Sequence, residues 1–299
     1  MIYKNKYVPL LSDAGFKAVY ADPMNKSLLI DLLNELLPPP AYVEDIIEYC
    51  DREQLAETVD SKRPVLDLIC RGKGGETFVV EMQKRYYADF FQRMVYYGAG
   101  VYHNPLQKGE GYFQLKPVYV ISILNHTLKH DDEAQWDSDH IISHYEFMET
   151  RTKEFVSSTI SITFAEMPRF RKKRSECATY RDMLFQVFRD GKQWDSVTEE
   201  FSKDKRICAV MNACEFARFD ADKKLKFELE MLNEFDRENH LRQEREKGLQ
   251  QGLQQGLQQG REDKMIEIAT KMLSDGLDVE LVAKYTGLSL DSLAVLDKK

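Results

Sequence analysis

The chain has 299 residues, 43% of them apolar, and a formal net charge of −8 at pH 7. That is enough apolar material for one sizeable core plus a smaller appendage. No run approaches the roughly 18 apolar residues of a membrane span, the N-terminus has no signal-like stretch, and the acidity excludes a protein that grips nucleic acid over its whole surface.

In chain order, Asn25 to Leu37 has the apolar spacing of a helix and is stopped by Pro38-Pro39-Pro40. A strand is expected near 42 to 49. Two further strands follow, Pro64-Val-Leu-Asp-Leu-Ile-Cys70 and Thr77-Phe-Val-Val-Glu-Met-Gln83, joined by the glycine-containing Arg71-Gly-Lys-Gly-Gly-Glu76. Pairing about residue 74 sets Asp67 opposite Glu81, with Cβ atoms roughly 5 Å apart. Like charges so placed destabilise a sheet, and burial makes it worse, so a hard divalent cation between them is expected. Alternation puts Glu81 and Gln83 on one face with Thr77 and Val79, and Phe78, Val80 and Met82 on the other; the second face is expected to be core and the first to carry chemistry. A helix at about 88 to 103 and a strand at 117 to 124 come next. Residues 141 to 165 read as a hairpin extending the sheet. Residues 175 to 245 read as helical, with Tyr180, Met183, Leu184, Val187 and Phe188 as a core stripe.

The low-complexity segment Gly248-Leu-Gln-Gln to Gly260 repeats every four residues. As a helix its stripe drifts by about 40° per repeat, and each glycine costs about 1 kcal/mol against alanine. A helix that persists only against a partner is expected, with a flexible linker as the alternative. Three small helices after it are compatible with a helix-turn-helix; without a basic recognition face they read as an oligomerisation tail.

Asp67 followed by Glu81-x-Gln83 resembles the Asp…(Asp/Glu)-x-Lys signature of the PD-(D/E)XK nuclease superfamily, with Gln83 in the lysine's place. The element order resembles its αβββαβ core. Further motifs follow in sequence: Asp13-Ala-Gly-Phe16-Lys17, Leu-Leu-Asn34-Glu-Leu-Leu, Leu66-Asp67, Glu81-Met-Gln83, Arg93 with Tyr97, and the Lys116-Pro-Val-Tyr strand. With the glycine repeat and Tyr285-Thr-Gly-Leu-Ser289, this set resembles the recombination-promoting nuclease/putative transposase (Rpn) family. The resemblance implies an α/β, restriction-endonuclease-like fold with a helical C-terminal region. It divides the chain into a nuclease-like domain (1–168), a helical extension (169–245) and the repeat with C-terminal helices (246–299), the last serving oligomerisation, with a dimer the simplest form.

The implied activity is a Mg²⁺- or Mn²⁺-dependent DNA endonuclease tied to recombination or mobile DNA. Asp67 and Glu81 would hold the ion, and Gln83 would orient the attacking water or donate to a phosphate oxygen. Lys17 or Lys62 would supply the missing cation, because alternation sends Lys84 to the other face. Arg93 would contact a phosphate or pair with Asp89. Arg171, Lys172 and Lys173, in the run Arg169 to Arg174, form a phosphate patch or a solvated helix start. Asp13 and Glu35 are the candidates for a third carboxylate. The alternative function is a catalytically inactive relative serving as a DNA-binding or assembly module; a DDE transposase, which needs three acids on another fold, ranks third. His126, His130, Asp131, Asp132, His140 and His144 lack zinc spacing and read as surface. Five cysteines without a C-x-x-C pair read as free thiols of a cytoplasmic protein.

Overall fold

The computed structural model describes residues 3–50, 66–103, 112–129, 140–156 and 159–296. Among them the chain forms two compact units, 1–234 and 235–299.

The first unit is organised by a six-stranded sheet: β1 (Ile46–Tyr49), β2 (Leu68–Gly72), β3 (Thr77–Gln83), β4 (Val118–Leu124), β5 (Ile142–Tyr145) and β6 (Ile160–Glu166), in the order β1-β2-β3-β4-β6-β5. The hairpin has the expected register, Leu68 facing Val80 and Cys70 facing Phe78. β4 runs parallel to both β3 and β6. The C-terminal ends of β3, β4 and β6 therefore line one edge of the sheet, and Asp67, just ahead of antiparallel β2, joins them there. The hairpin expected over 141 to 165 is present as antiparallel β5 and β6, with β6 inserted between β4 and β5.

Both sheet faces are covered. Phe78, Val80, Met82, Ile121 and Ile123 pack against α1 (Asp13–Tyr20), α2 (Lys26–Leu36), α4 (Tyr180–Asp190) and α6 (Lys205–Cys214). Val79, Val118, Val120 and Phe164 pack against Phe90 and Met94 of α3 (Phe90–His103). This corrects the expectation of one apolar and one chemical face: the face carrying Glu81 holds a core of its own, with Ser122 beside Glu81 as a further buried polar residue. Continuous apolar strands are what a parallel sheet buried on both sides requires.

α1 is held against the sheet by two devices. Ser12 caps it, its Oγ accepting from Gly15 N–H at 3.1 Å and donating to the Pro9 carbonyl at 2.9 Å. At its first turn Ala14 N–H donates to Glu234 Oε1 at 2.7 Å, on the long helix α7 (Ala221–Ser274). Gly15 lies so close to Pro9 that a Cβ would overlap the Pro9 carbonyl. Gly15→Ala is therefore expected to cost about 2 to 3 kcal/mol in urea unfolding, as overpacking against unyielding backbone does. An unchanged midpoint would mean that α1 shifts freely.

In the second unit, Ala269 near the end of α7, Val282 of α8 (Val279–Thr286) and Leu293 of α9 (Leu290–Leu296) form a small core. Asp278 caps α8, and Gly287 ends it at φ 71°, a left-handed conformation that suits glycine. The glycine repeat is helical throughout, within α7. Leu249, Leu253 and Leu257 on it are exposed, and the four repeat glycines have open space where a Cβ would stand.

Candidate active site

Among the described residues, three buried acids stand at this sheet edge, Asp67, Glu81 and, at the end of β6, Glu166, 4%, 5% and 0% exposed; Glu166 is taken up by Arg169 at 3.0 Å and by the Leu128 N–H at 2.7 Å. Asp67 is clamped from two sides: Oδ2 accepts the backbone N–H of Met82 at 2.8 Å, and Oδ1 faces Lys17 Nζ of α1 at 3.1 Å. Glu81 Oε1 is buried without a hydrogen-bond partner. Burial first, then the charge of Asp67, pushes the Glu81 carboxyl well above its ordinary range, against the opposing pull of Arg93 and Lys17. Burial also raises Asp67; Lys17 lowers it and Asp13 adds repulsion. Two acids that resist ionisation, one with an orphaned oxygen, fit a divalent cation.

Lys17 thus brings its ammonium to the pair from the helix on one sheet face, and Arg93 of α3 brings its charge from the other. The Arg93 guanidinium donates to Tyr97 Oη at 2.9 Å and lies 5.5 Å from the Tyr87 ring centroid. Gln83 turns its carboxamide away, Nε2 donating to the Arg85 carbonyl at 3.0 Å. Lys84 faces Glu234 at 3.8 Å, on the opposite side from Glu81, as alternation requires. Lys62 lies outside the described residues.

Of the two candidates for a third carboxylate, Asp13 acts on Asp67, whereas Glu35 is engaged by Arg181 at 3.0 Å. The basic run is anchored toward α4: Lys172 pairs with Asp182 at 2.8 Å, Arg189 donates to the Phe170 and Lys172 carbonyls, and Arg174 lies 3.9 Å from the Trp194 ring centroid. Arg171 and Lys173 are exposed. His140 and His144 are exposed, and His126 is half-buried at the end of β4; His130, Asp131 and Asp132 lie outside the described residues. Among the described residues, no group of three or more His, Cys, Asp or Glu is arranged to hold a metal.

Residues 10–244 match the family model of the PD-(D/E)XK nuclease family transposase. The chain belongs to this family. Residues 262–298 match the C-terminal HTH domain of the Rpn/YhgA-like nuclease family, as the ordered motifs lead one to expect. Comparisons with curated proteins and with solved structures give no match. The PD-(D/E)XK assignment accounts for the αβββαβ order and for acids at the end of a hairpin. The HTH match gives the last three helices, compatible from sequence with a helix-turn-helix but read there as an oligomerisation tail, a helix-turn-helix fold. α8 and α9 are joined by the three residues Gly287 to Ser289, the short glycine-containing turn of that motif.

Three features of the site escaped the sequence reading. The Met82 N–H that fixes Asp67 is a backbone group and leaves no mark in a sequence. Glu234, which holds α1 and faces Lys84, lies 220 residues from Ala14. Tyr86 and Tyr87, directly behind Gln83, were legible only as two aromatic residues in a polar loop.

Proposed function

We propose that the chain is a metal-dependent DNA endonuclease acting on mobile or recombining DNA, with Asp67 and Glu81 as the ligands of a Mg²⁺ or Mn²⁺ ion. The observation that carries this reading is the buried, partnerless oxygen of Glu81 in a carboxyl beside Asp67. Mg²⁺ keeps several waters and takes one or two carboxylates plus substrate phosphates, so two protein acids suffice. When bound, such an ion polarises the scissile phosphate and acidifies a coordinated water. Lys17, 3.1 Å from Asp67, offsets its charge and is the cation that would stand in for the lysine of the signature. Arg93 offers a guanidinium to a phosphate oxygen. The five free cysteines suit a cytoplasmic setting, and among the described residues no helix is long and apolar enough to cross a membrane. Supercoiled plasmid incubated with the protein tests the proposal: nicking in Mg²⁺ or Mn²⁺ that stops in EDTA is expected, and intact plasmid in both metals would overturn it.

One observation favours the second reading, an inactive DNA-binding or assembly module: the Gln83 amide is spent on the Arg85 carbonyl. If it nonetheless orients water during turnover, Gln83→Ala loses most nicking activity and Gln83→Lys retains or raises it. An inert wild type with an active Gln83→Lys variant would decide for the second reading, and full activity in Gln83→Ala would leave Gln83 no catalytic role.

We also propose that the region beyond residue 240 governs self-association. Exposed Leu249, Leu253 and Leu257 on a glycine-rich helix support this, since such a helix is marginal in water without a partner and a second copy brings the same stripe. Light scattering should give a dimer for the full chain and a monomer for residues 1–240. Equal states for both would remove the idea.

A further inference from the structure

We infer that Tyr86 and Tyr87 form a stacking platform for unpaired bases, so that the DNA taken by this site is single-stranded or locally opened. The cleavage half of the inference rests on the nuclease reading above; the binding half does not. The two rings are 41% and 40% exposed, side by side in the loop that follows Glu81-x-Gln83. Aromatic side chains are among the largest contributors when buried, and two left open beside a candidate active site make a surface suited to a flat partner.

Each ring is accompanied by a cation. Lys129 Nζ lies 5.6 Å from the Tyr86 ring centroid, and the Arg93 guanidinium lies 5.5 Å from that of Tyr87. Aromatic faces with basic groups alongside are the makeup of single-strand sites, in which bases stack on the rings and cations follow the phosphates. The placement is continuous with the acids. Asn125 N–H donates to the Gln83 carbonyl at 2.9 Å, tying the β4 loop that carries His126 and Lys129 to the end of β3. The His126 ring stands edge-on to Tyr86 at 5.9 Å and braces it. Arg93, 5.5 Å from the Tyr87 ring centroid, also exerts an electrostatic pull on Glu81, which links the platform to the acids.

Unpaired DNA is the occupant that the charge distribution favours. A duplex keeps its base faces stacked on one another and is gripped mainly through phosphates. Residues 1 to 130 carry 15 basic and 16 acidic residues, a balance that gives little net attraction for the phosphates of a duplex. Stacking supplies affinity without that attraction.

The test is fluorescence anisotropy of a labelled oligo-dT with the full chain in EDTA, where cleavage does not intervene. The double variant Tyr86→Ala/Tyr87→Ala should bind oligo-dT about tenfold or more weakly, and Tyr86→Phe/Tyr87→Phe, which keeps the ring faces, should bind like wild type. Tyr87→Trp gives a direct readout that does not depend on the alanine variant folding: its added fluorescence should be quenched by oligo-dT. Unchanged affinity in the alanine variant, an unquenched Trp, or a wild type that does not bind oligo-dT would overturn the inference. A chain that binds through the tyrosines yet never nicks plasmid keeps the platform and loses the nuclease reading; one that nicks with binding indifferent to the tyrosines does the reverse.

Discussion

Asp67→Ala or Glu81→Ala should lower metal-dependent plasmid nicking by about a thousandfold or more. Each removes half of the protein's hold on the ion, and the several kcal/mol of transition-state stabilisation that a metal supplies corresponds to about tenfold in rate for every 1.36 kcal/mol. The two variants should differ in stability. Glu81→Ala deletes an acid one of whose oxygens has no partner and relieves its repulsion with Asp67, at the loss of one hydrogen bond from the Asp67 backbone, so the metal-free protein should hold or gain stability. Asp67→Ala also strips Lys17 of the carboxylate 3.1 Å away and leaves Met82 N–H without its acceptor, so the gain should be smaller or reversed. Both proteins should retain wild-type circular dichroism. Full nicking by folded Asp67→Ala would sink the assignment of the site.

The second large effect is on metal-free stability against pH. Glu81 holds its proton more tightly in the folded chain than in the unfolded one. Between the ordinary glutamate range and its raised folded value, the folded state therefore carries the extra proton, and stability falls as pH rises. Above that window the penalty is complete. Asp67 is raised as well and adds to the slope in the same direction. Glu81→Gln removes the larger part: without metal it should be more stable than wild type at neutral pH and above, with the difference shrinking on acidification. Divalent ion at a hundred times its Kd should return about 2.7 kcal/mol to the wild type and little to Glu81→Gln. Parallel stability curves for the two proteins, with equal responses to the ion, would show that Glu81 is neither strained nor a ligand.

Much of this site could be read from local pattern. The hairpin register followed from the glycines of its turn and the alternation of Thr77 to Gln83, and it set Asp67 against Glu81 because a two-strand pairing has few alternatives. Lys17 was legible only as a candidate beside Lys62, since its approach to Asp67 depends on how α1 packs. That packing is set by the Ser12 cap, the backbone contact at Gly15 and a hydrogen bond to Glu234, the last from a distant part of the chain. The double-sided burial of the sheet is not legible from Glu81 alone, because Val79 shares its face and packs under α3. The glycine repeat, expected as a helix despite its poor propensity per residue, lies within one helix from Ala221 to Ser274. The last three helices lack a basic face in sequence, which points away from a helix-turn-helix. Charge does not mark what shapes them: Val282 and Leu293 share a small core with Ala269, and Gly287 ends α8 in the left-handed conformation.

Calorimetric titration of Mn²⁺ into the full chain, with Glu81→Gln as the reference, tests most directly whether the paired acids are a metal site. One ion per chain is expected to bind the wild type, with protons released as Asp67 and Glu81 ionise, and that binding should be lost in Glu81→Gln. Identical isotherms for the two proteins would contradict it.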